Sequence, residues 1–238
     1  MPAPELSAVI LCYRAGENVR RVAAGFHAEL VGSGVPFELI LVANYDDEAD
    51  TTPAAAEEFA AGHEQVRVLK ERKQGAMGWD MRSGFEAATG AFLVAIDGDE
   101  QNPFEDVVRA YRLLVDSGAD VVKGRRTSRL DGPLRHLVSA VYNAAFRAMF
   151  GTRPLWDING KPKGFSRSAY ERLRLSADDW FVDAEIVLQA RDLGMSIVEL
   201  PVEFRQNRER RSFVDAGTVG EFLKNMARFR IRRSGRSR

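Results

Sequence analysis

Asp97-Gly98-Asp99 follows an apolar run that ends at Ile96 and leads into Gln101 and Asn102-Pro103. Side chains two apart in extended chain point the same way, so this spacing directs both carboxylates toward one point. Hard oxygen donors of this kind favour Mg2+ or Mn2+, and the Gln101 amide offers a third oxygen. Gly98 removes a side chain that would crowd a diphosphate approaching the ion. An EF-hand calcium loop does not fit, because its twelfth position would be Val108 rather than Glu and its sixth Asn102 rather than Gly. The competing reading is a plain turn before a capped helix. The apolar strand before the motif favours a ligand site, since open parallel sheets bind ligands beyond the carboxyl ends of their strands.

Other reactive residue types are sparse. Cys12 is the one cysteine, so an internal disulfide and a thiolate metal cluster are excluded, and its apolar surroundings read as a buried strand. His27, His63 and His136 show no ligand spacing and read as structural. Trp156 and Trp180 suit an acceptor groove, although core packing accounts for either alone. The 34 basic and 34 acidic residues balance, which removes the global electrostatic signature of a nucleic-acid binder. Basic charge gathers at Arg228, Arg230, Arg232, Arg233, Arg236 and Arg238, after an amphipathic stretch carrying Val219, Phe222, Leu223, Met226 and Phe229. This pattern suits contact with an anionic membrane surface, against the alternative of a helix packed on the domain. The N-terminus lacks the charge and apolar run of a signal peptide, and no window reaches the roughly 18 apolar residues of a spanning helix. The expected location is cytoplasmic, with peripheral attachment to the membrane face.

These residues need a scaffold, and the rest of the sequence supplies an α/β one. Short apolar runs at 6–12, 37–43, 66–69, 91–96, 119–123 and 196–204 alternate with helical periods at 17–33, 53–61, 78–89, 102–117, 134–150, 181–193 and 218–231. Such alternation predicts a mostly parallel central sheet flanked by helices in three layers. Asn102 is expected to cap its helix, with Pro103 at the first position and Glu105 closing a capping box. Residues 151–164, with prolines and Trp156, read as a loop. The 238 residues show no repeat or low-complexity linker. One domain is expected, with a nucleotide-sugar half at 1–105, an acceptor half at 106–213 and a basic C-terminal helix at 214–238.

Against that frame the motifs resemble the family 2 glycosyltransferases, inverting enzymes of GT-A fold, and within them the dolichol-phosphate mannose synthase-like branch. The carriers are Ser7 to Tyr13 with Glu17-Asn18-Val19, Gly78 to Gly90, and Asp97-Gly98-Asp99-Glu100-Gln101-Asn102-Pro103. Further matches are Asp120 to Arg126, Phe181-Val182-Asp183-Ala184-Glu185, and Val198 to Val202 followed by Arg208 to Ser212. The resemblance implies a metal held by Asp97, Asp99 and Gln101, and nucleotide contacts at Tyr13, Glu17, Arg82, Asp97 and Gly98. It implies that Arg125, Arg126, Arg208 and Ser212 meet phosphates on the donor and acceptor side, with Glu185 at the acceptor helix. Where the family usually carries paired Asp after the second strand, this chain has Ala43-Asn44-Tyr45; Asn44 keeps an amide for the base or ribose.

The implied reaction moves a sugar from a nucleotide sugar, GDP-mannose or a UDP-sugar, to a polyprenyl phosphate. An anionic acceptor needs little or no general base, whereas a hydroxyl acceptor would need a carboxylate, for which Asp183 is the candidate. Asp99, Asp183 and Arg125 form the expected catalytic set. Two alternatives stay open: transfer to a polysaccharide or small hydroxyl acceptor, and a catalytically silent nucleotide-binding module suggested by Ala43 and Asn44. A nucleotidyltransferase ranks last, since Tyr13-Arg14-Ala15-Gly16 carries one glycine where a triphosphate loop needs several.

Overall fold

The computed structural model describes residues 3–129, 146 and 155–205. Much of the expected helix at 134–150, residues 151–154, Arg208, Ser212 and the basic helix at 218–231 lie outside that range.

Continuous apolar runs become strands buried on both faces, with helices laid over them. In chain order these are β1 (Leu6–Leu11), α1 (Asn18–Ser33), β2 (Phe37–Val42), α2 (Thr52–Ala60), β3 (Val66–Leu69), α3 (Met77–Ala87), β4 (Phe92–Asp97) and α4 (Asp106–Ser117). The second half contributes β5 (Val121–Arg129), β6 (Lys163–Ser166), α5 (Arg167–Arg172), α6 (Val182–Asp192) and β7 (Ile197–Phe204). Among the described residues the sheet has seven strands in the order β3-β2-β1-β4-β6-β5-β7. Only β6 runs antiparallel to its neighbours β4 and β5; the other pairings are parallel.

Two apolar layers clamp the sheet. On one side α1 and α4 bury Val19, Val22, Phe26, Val107, Tyr111 and Leu114 against Leu6, Ile10, Leu39 and Val94. On the other, Met81 and Phe85 of α3 and Val182 and Ile186 of α6 cover Val9, Ile40, Leu93 and Phe165. Each fully buried Leu, Ile or Phe contributes about 1.5–3 kcal/mol, which fixes the strand ends relative to one another.

Three local expectations are corrected. Lys163 and Gly164, expected as the end of a loop, open β6, and α5 follows directly, capped by the Ser166 hydroxyl accepting from the Ala169 amide. Asn102 does not cap α4, which starts at Asp106. The Asn102 amide instead donates to the Lys161 carbonyl at 3.3 Å, while the Pro103 carbonyl accepts from the Asp106 amide. Finally, β5 continues past Lys123 to Arg129, paired along β7.

Strands β1, β2 and β3 proceed to one side of the sheet, and β4 lies on the other side of β1. The carboxyl ends of β1 and β4 are in register, Leu11 beside Asp97. That juncture is the switch point at which open α/β sheets bind ligands.

Candidate active site at the carboxyl edge of the sheet

β4 delivers Asp97 as its last residue, so the Asp97-Gly98-Asp99 segment leaves the sheet at the switch point. Asp97 and Asp99 are both half-buried, neither plugged beneath the core nor fully in solvent. The segment is pinned to β1 by the Gly98 amide, which donates to the Leu11 carbonyl at 2.9 Å. A Cβ on Gly98 would meet that same carbonyl at 3.0 Å and Ile10 Cγ2 at 3.1 Å. The close approach of β1 therefore favours glycine here, in addition to any room it leaves for a diphosphate. Beyond it Glu100 sits at φ 61°, a left-handed conformation that costs a non-glycine residue about 1 kcal/mol or more. The Asp99 carboxylate accepts from the Gln101 amide at 3.0 Å, and Glu100 pairs with Arg21 at 2.8 Å. Gln101 donates its side-chain amide to the Arg205 carbonyl at 3.1 Å and accepts from the Arg205 amide at 2.8 Å, tying the loop to the end of β7.

The donor set suits a hard divalent ion. Asp97 and Asp99 supply carboxylate oxygens, and Gln101 has its amide nitrogen engaged while its oxygen is the acceptor end. Among the described residues no third His, Cys, Asp or Glu gathers with them. Mg2+-like ions are held in this way by one or two carboxylates, the rest of the shell being substrate phosphate and water.

Beside the ends of β1 and β2 lies a polar cluster. The Tyr13 hydroxyl donates to Asp46 at 2.7 Å, and Arg14, at φ 50°, donates to the same carboxylate at 3.0 Å. The Lys73 ammonium lies 4.1 Å from the Tyr13 ring centroid and pairs with buried Asp80. Asn44, expected to meet the base or ribose, is buried; its amide donates to Asp80 at 3.1 Å and its oxygen accepts from the Glu71 amide at 2.8 Å. Asn44 thus holds the loop after β3, and the acceptor presented at the end of β2 is the half-exposed Asp46. Glu17, at the N-cap position of α1, makes no side-chain capping bond and pairs in solvent with Arg20. Arg82 reaches the Leu175 carbonyl at 3.2 Å and Asp178 at 2.9 Å, joining α3 to the segment before α6.

On the other side of β4 the structure reveals a buried charge network that the sequence reading missed. Lys123, Lys161, Lys163 and Asp183 are all buried. The Asp183 carboxylate accepts from Lys161 at 3.0 Å on one oxygen and from Lys163 at 2.8 Å on the other. Burial alone would raise the Asp183 pKa, but the two ammoniums outweigh it and hold it below the usual carboxylate range. A carboxylate so occupied is a weak base, which revises the expectation that Asp183 accepts an acceptor proton. Burial pushes Lys163 down to about 8 against the pull of Asp183. Lys161 moves the other way: burial lowers it, but Asp183 and then Asp97 outweigh that loss and keep it charged. Lys123 pairs with Glu199 at 2.6 Å and donates to the Asp157 carbonyl at 2.9 Å.

The remaining acceptor-side residues divide sharply. Arg126 is forked onto Asp157, with Nε to Oδ2 at 2.6 Å and Nη2 to Oδ1 at 2.7 Å, so its bidentate face is already spent inside the protein. Glu185 is buried and receives the Ser176 and Ala177 amides at 2.9 and 2.8 Å, together with the Ser176 hydroxyl. It shapes the segment before α6 and does not face outward. Arg125 is exposed, its guanidinium 6.0 Å from the ring centroid of Trp156, itself 55% exposed. Trp156 is therefore not a core residue. Cys12, His27 and His63 behave as expected: the thiol is buried and pushed up to about 12, and His27 and His63 pack edge to face at 4.5 Å near Phe37 and Phe59, while His136 lies outside the described residues. The lysines left one sequence trace. Lys123 ends an apolar run, and Lys161 and Lys163 flank a single proline.

This architecture and these motifs have known counterparts. Residues 7–174 match the model of glycosyl transferase family 2. The chain is 32% identical over 216 residues to glycosyltransferase AglD of Haloferax volcanii, covering 84% of this chain and 33% of that protein. It is 27% identical over 249 residues to polyprenol monophosphomannose synthase of Mycolicibacterium smegmatis, covering 97% and 89%. It is 30% identical over 174 residues to undecaprenyl-phosphate 4-deoxy-4-formamido-L-arabinose transferase of Serratia proteamaculans, covering 72% and 52%. The chain thus spans a third of the first of these relatives and about half of the third. Among solved structures, glucosyl-3-phosphoglycerate synthase from Mycobacterium tuberculosis superposes with a TM-score of 0.71 at 20% identity, over 94% of this chain and 79% of that one. Another structure of that synthase, in complex with Mn2+, UDP-glucose and phosphoglyceric acid, gives 0.70 at 21%, over 92% and 77%. By motif, by family match and by the order of its strands, the chain belongs to glycosyl transferase family 2 and is a glycosyltransferase domain of GT-A fold.

Proposed function

We propose that this domain transfers a sugar from a nucleotide sugar to a polyprenyl phosphate, with GDP-mannose the first donor to try and UDP-sugars the second. The observation that carries the reading is Asp97-Gly98-Asp99 leaving the sheet at the β1/β4 switch point, half-buried and pinned to β1. Asp97, Asp99 and Gln101 would hold Mg2+ or Mn2+. When bound, such an ion supplies Lewis-acid stabilisation of the departing diphosphate. Tyr13 and Asp46, at the ends of β1 and β2, would receive the nucleotide, Asp46 accepting from base or ribose donors. The exposed Arg125 would meet an acceptor phosphate, for which a permanently charged guanidinium is suited.

The state of Asp183 favours an acceptor that arrives already ionised. Both its oxygens are engaged by buried ammoniums, so a hydroxyl acceptor would lack the base that a phosphate does not need. Relatives named for polyprenol and undecaprenyl phosphate agree with that choice. No helix among the described residues is long and apolar enough to cross a membrane. A lipid acceptor would then be met at a membrane face, where the arginine-rich end at 228–238 would add attraction to anionic lipid.

The test is release of nucleoside diphosphate from GDP-mannose and a panel of UDP-sugars, with Mn2+, in the presence and absence of polyprenyl phosphate. Release that requires the lipid is expected. Release that requires only a hydroxylated acceptor would move the function to that class. Nucleotide binding with no release on any acceptor would favour a silent module.

A further inference from the structure

Lys161 is an unusual neighbour for a site that would bind a cation. Its ammonium is 4% exposed, lies 3.0 Å from Asp183 and 3.6 Å from the Met77 sulfur, and adds a fixed positive charge within electrostatic reach of Asp97. Its backbone is locked in place as well. The Lys161 carbonyl accepts from Asn102, just past the Asp97–Gln101 segment, and it lies so close to β5 that a Cβ on Gly124 would stand 1.9 Å away. The ammonium therefore cannot swing off to solvent as a surface lysine would. Lys163, the first residue of β6, donates to the Ile158 and Gly160 carbonyls and to the other oxygen of Asp183.

We propose that Lys161 is a positioning residue that makes divalent-ion binding at Asp97 and Asp99 conditional on the nucleotide diphosphate. With the diphosphate absent, Lys161 offsets part of the Asp97 charge and repels a second cation. A bound diphosphate brings negative oxygens that outweigh this repulsion, so ion and nucleotide bind together. The inference rests on the reading that Asp97 and Asp99 hold the ion, and it adds an order to the binding.

The experiment is titration of Mn2+ into the full chain, followed by the electron paramagnetic resonance signal of free Mn2+, alone and with saturating GDP or UDP. Wild type is expected to bind Mn2+ at least about tenfold more tightly with one of the diphosphates. Lys161→Met should tighten Mn2+ binding in the absence of nucleotide about tenfold and shrink the nucleotide dependence. Lys161→Arg, which keeps the charge, should behave as wild type, and so should Lys163→Met. If Lys161→Met does not fold, Lys161→Gln removes the same charge while keeping a polar head for Asp183, with the same tightening expected. Unchanged or weaker Mn2+ binding in the charge-removed variants would overturn the role of Lys161 while leaving the metal site intact. Failure of wild type to bind Mn2+ with either diphosphate would overturn the metal site and this role together.

Discussion

At the amino end of the central strands, Glu38 is buried and fully answered: Ser7 donates to it at 2.7 Å, the Thr89 amide and hydroxyl at 2.6 and 2.7 Å, and Arg67 at 2.9 Å. At the carboxyl end of the same strands, Arg14 and Glu100 hold positive φ, Asp46 is 40% exposed on its side chain, and Asp97 and Asp99 are half-buried. No non-glycine residue at the amino end has such a backbone among the described residues. One end spends its polar groups on itself, and the other keeps charge and strain at a surface. Strain persists only where the surrounding structure enforces it, so the contrast sets the end that holds the fold apart from the end where the proposed chemistry would occur.

The contrast breaks most visibly at Asp99. Asp99→Ala should lower turnover at least about a thousandfold, because the developing charge on a leaving diphosphate loses its counter-ion. Its thermal midpoint should move by only a few degrees, and loss of folding instead would place Asp99 with the structural end. The next largest effect is expected at Asp183, which bridges the two categories. Asp183→Asn strands Lys161 and Lys163 without a full counter-charge and should cost about 3–5 kcal/mol in denaturant unfolding.

How much of this could be read from the sequence depended on whether a residue's partner was local. Strands β1 to β4 were legible within a residue or two, because each is a short apolar run between helical periods. β6 was not, because Lys161-Pro162-Lys163-Gly164 reads as polar loop until Asp183, on a helix further along the chain, is brought against it. The placement of Asp97 and Asp99 at a strand's carboxyl end was legible from the apolar run before them. The inward turn of Asn44, Arg126 and Glu185 was not, since their partners Asp80, Asp157 and Ser176 are set by packing and not by neighbourhood. The missed cap at Asn102 has the same origin, its amide being drawn across to Lys161.

The comparison sharpens further at the amino end. Glu38→Gln should lose about 1–3 kcal/mol at neutral pH with kcat per folded molecule unchanged. Burial alone would raise the Glu38 pKa, but the hydrogen bonds from Ser7, Thr89 and Arg67 hold it below the ordinary value. The stability it contributes is therefore present above the unfolded carboxylate pKa of about 4.3 and is lost as pH falls through the lower folded value. Thermal melts of wild type and Glu38→Gln should differ at pH 7 and converge near the acid limit; a constant gap would contradict the assignment. The smallest expected effect is at the exposed Arg125. Arg125→Ala should lower kcat/KM for polyprenyl phosphate about tenfold through KM, with no change in melting.

The central claim is that the carboxyl edge at Asp97 and Asp99 is where a divalent ion and a nucleotide diphosphate meet. Its most direct measurement is a crystal grown with Mn2+ and the nucleoside diphosphate that binds, read for anomalous scattering at the manganese edge. A peak at coordination distance, about 2.0–2.3 Å, from carboxylate oxygens of Asp97 and Asp99 and touching the diphosphate is the predicted result. A diphosphate bound elsewhere, or bound at this edge with the manganese peak away from both residues, would contradict it.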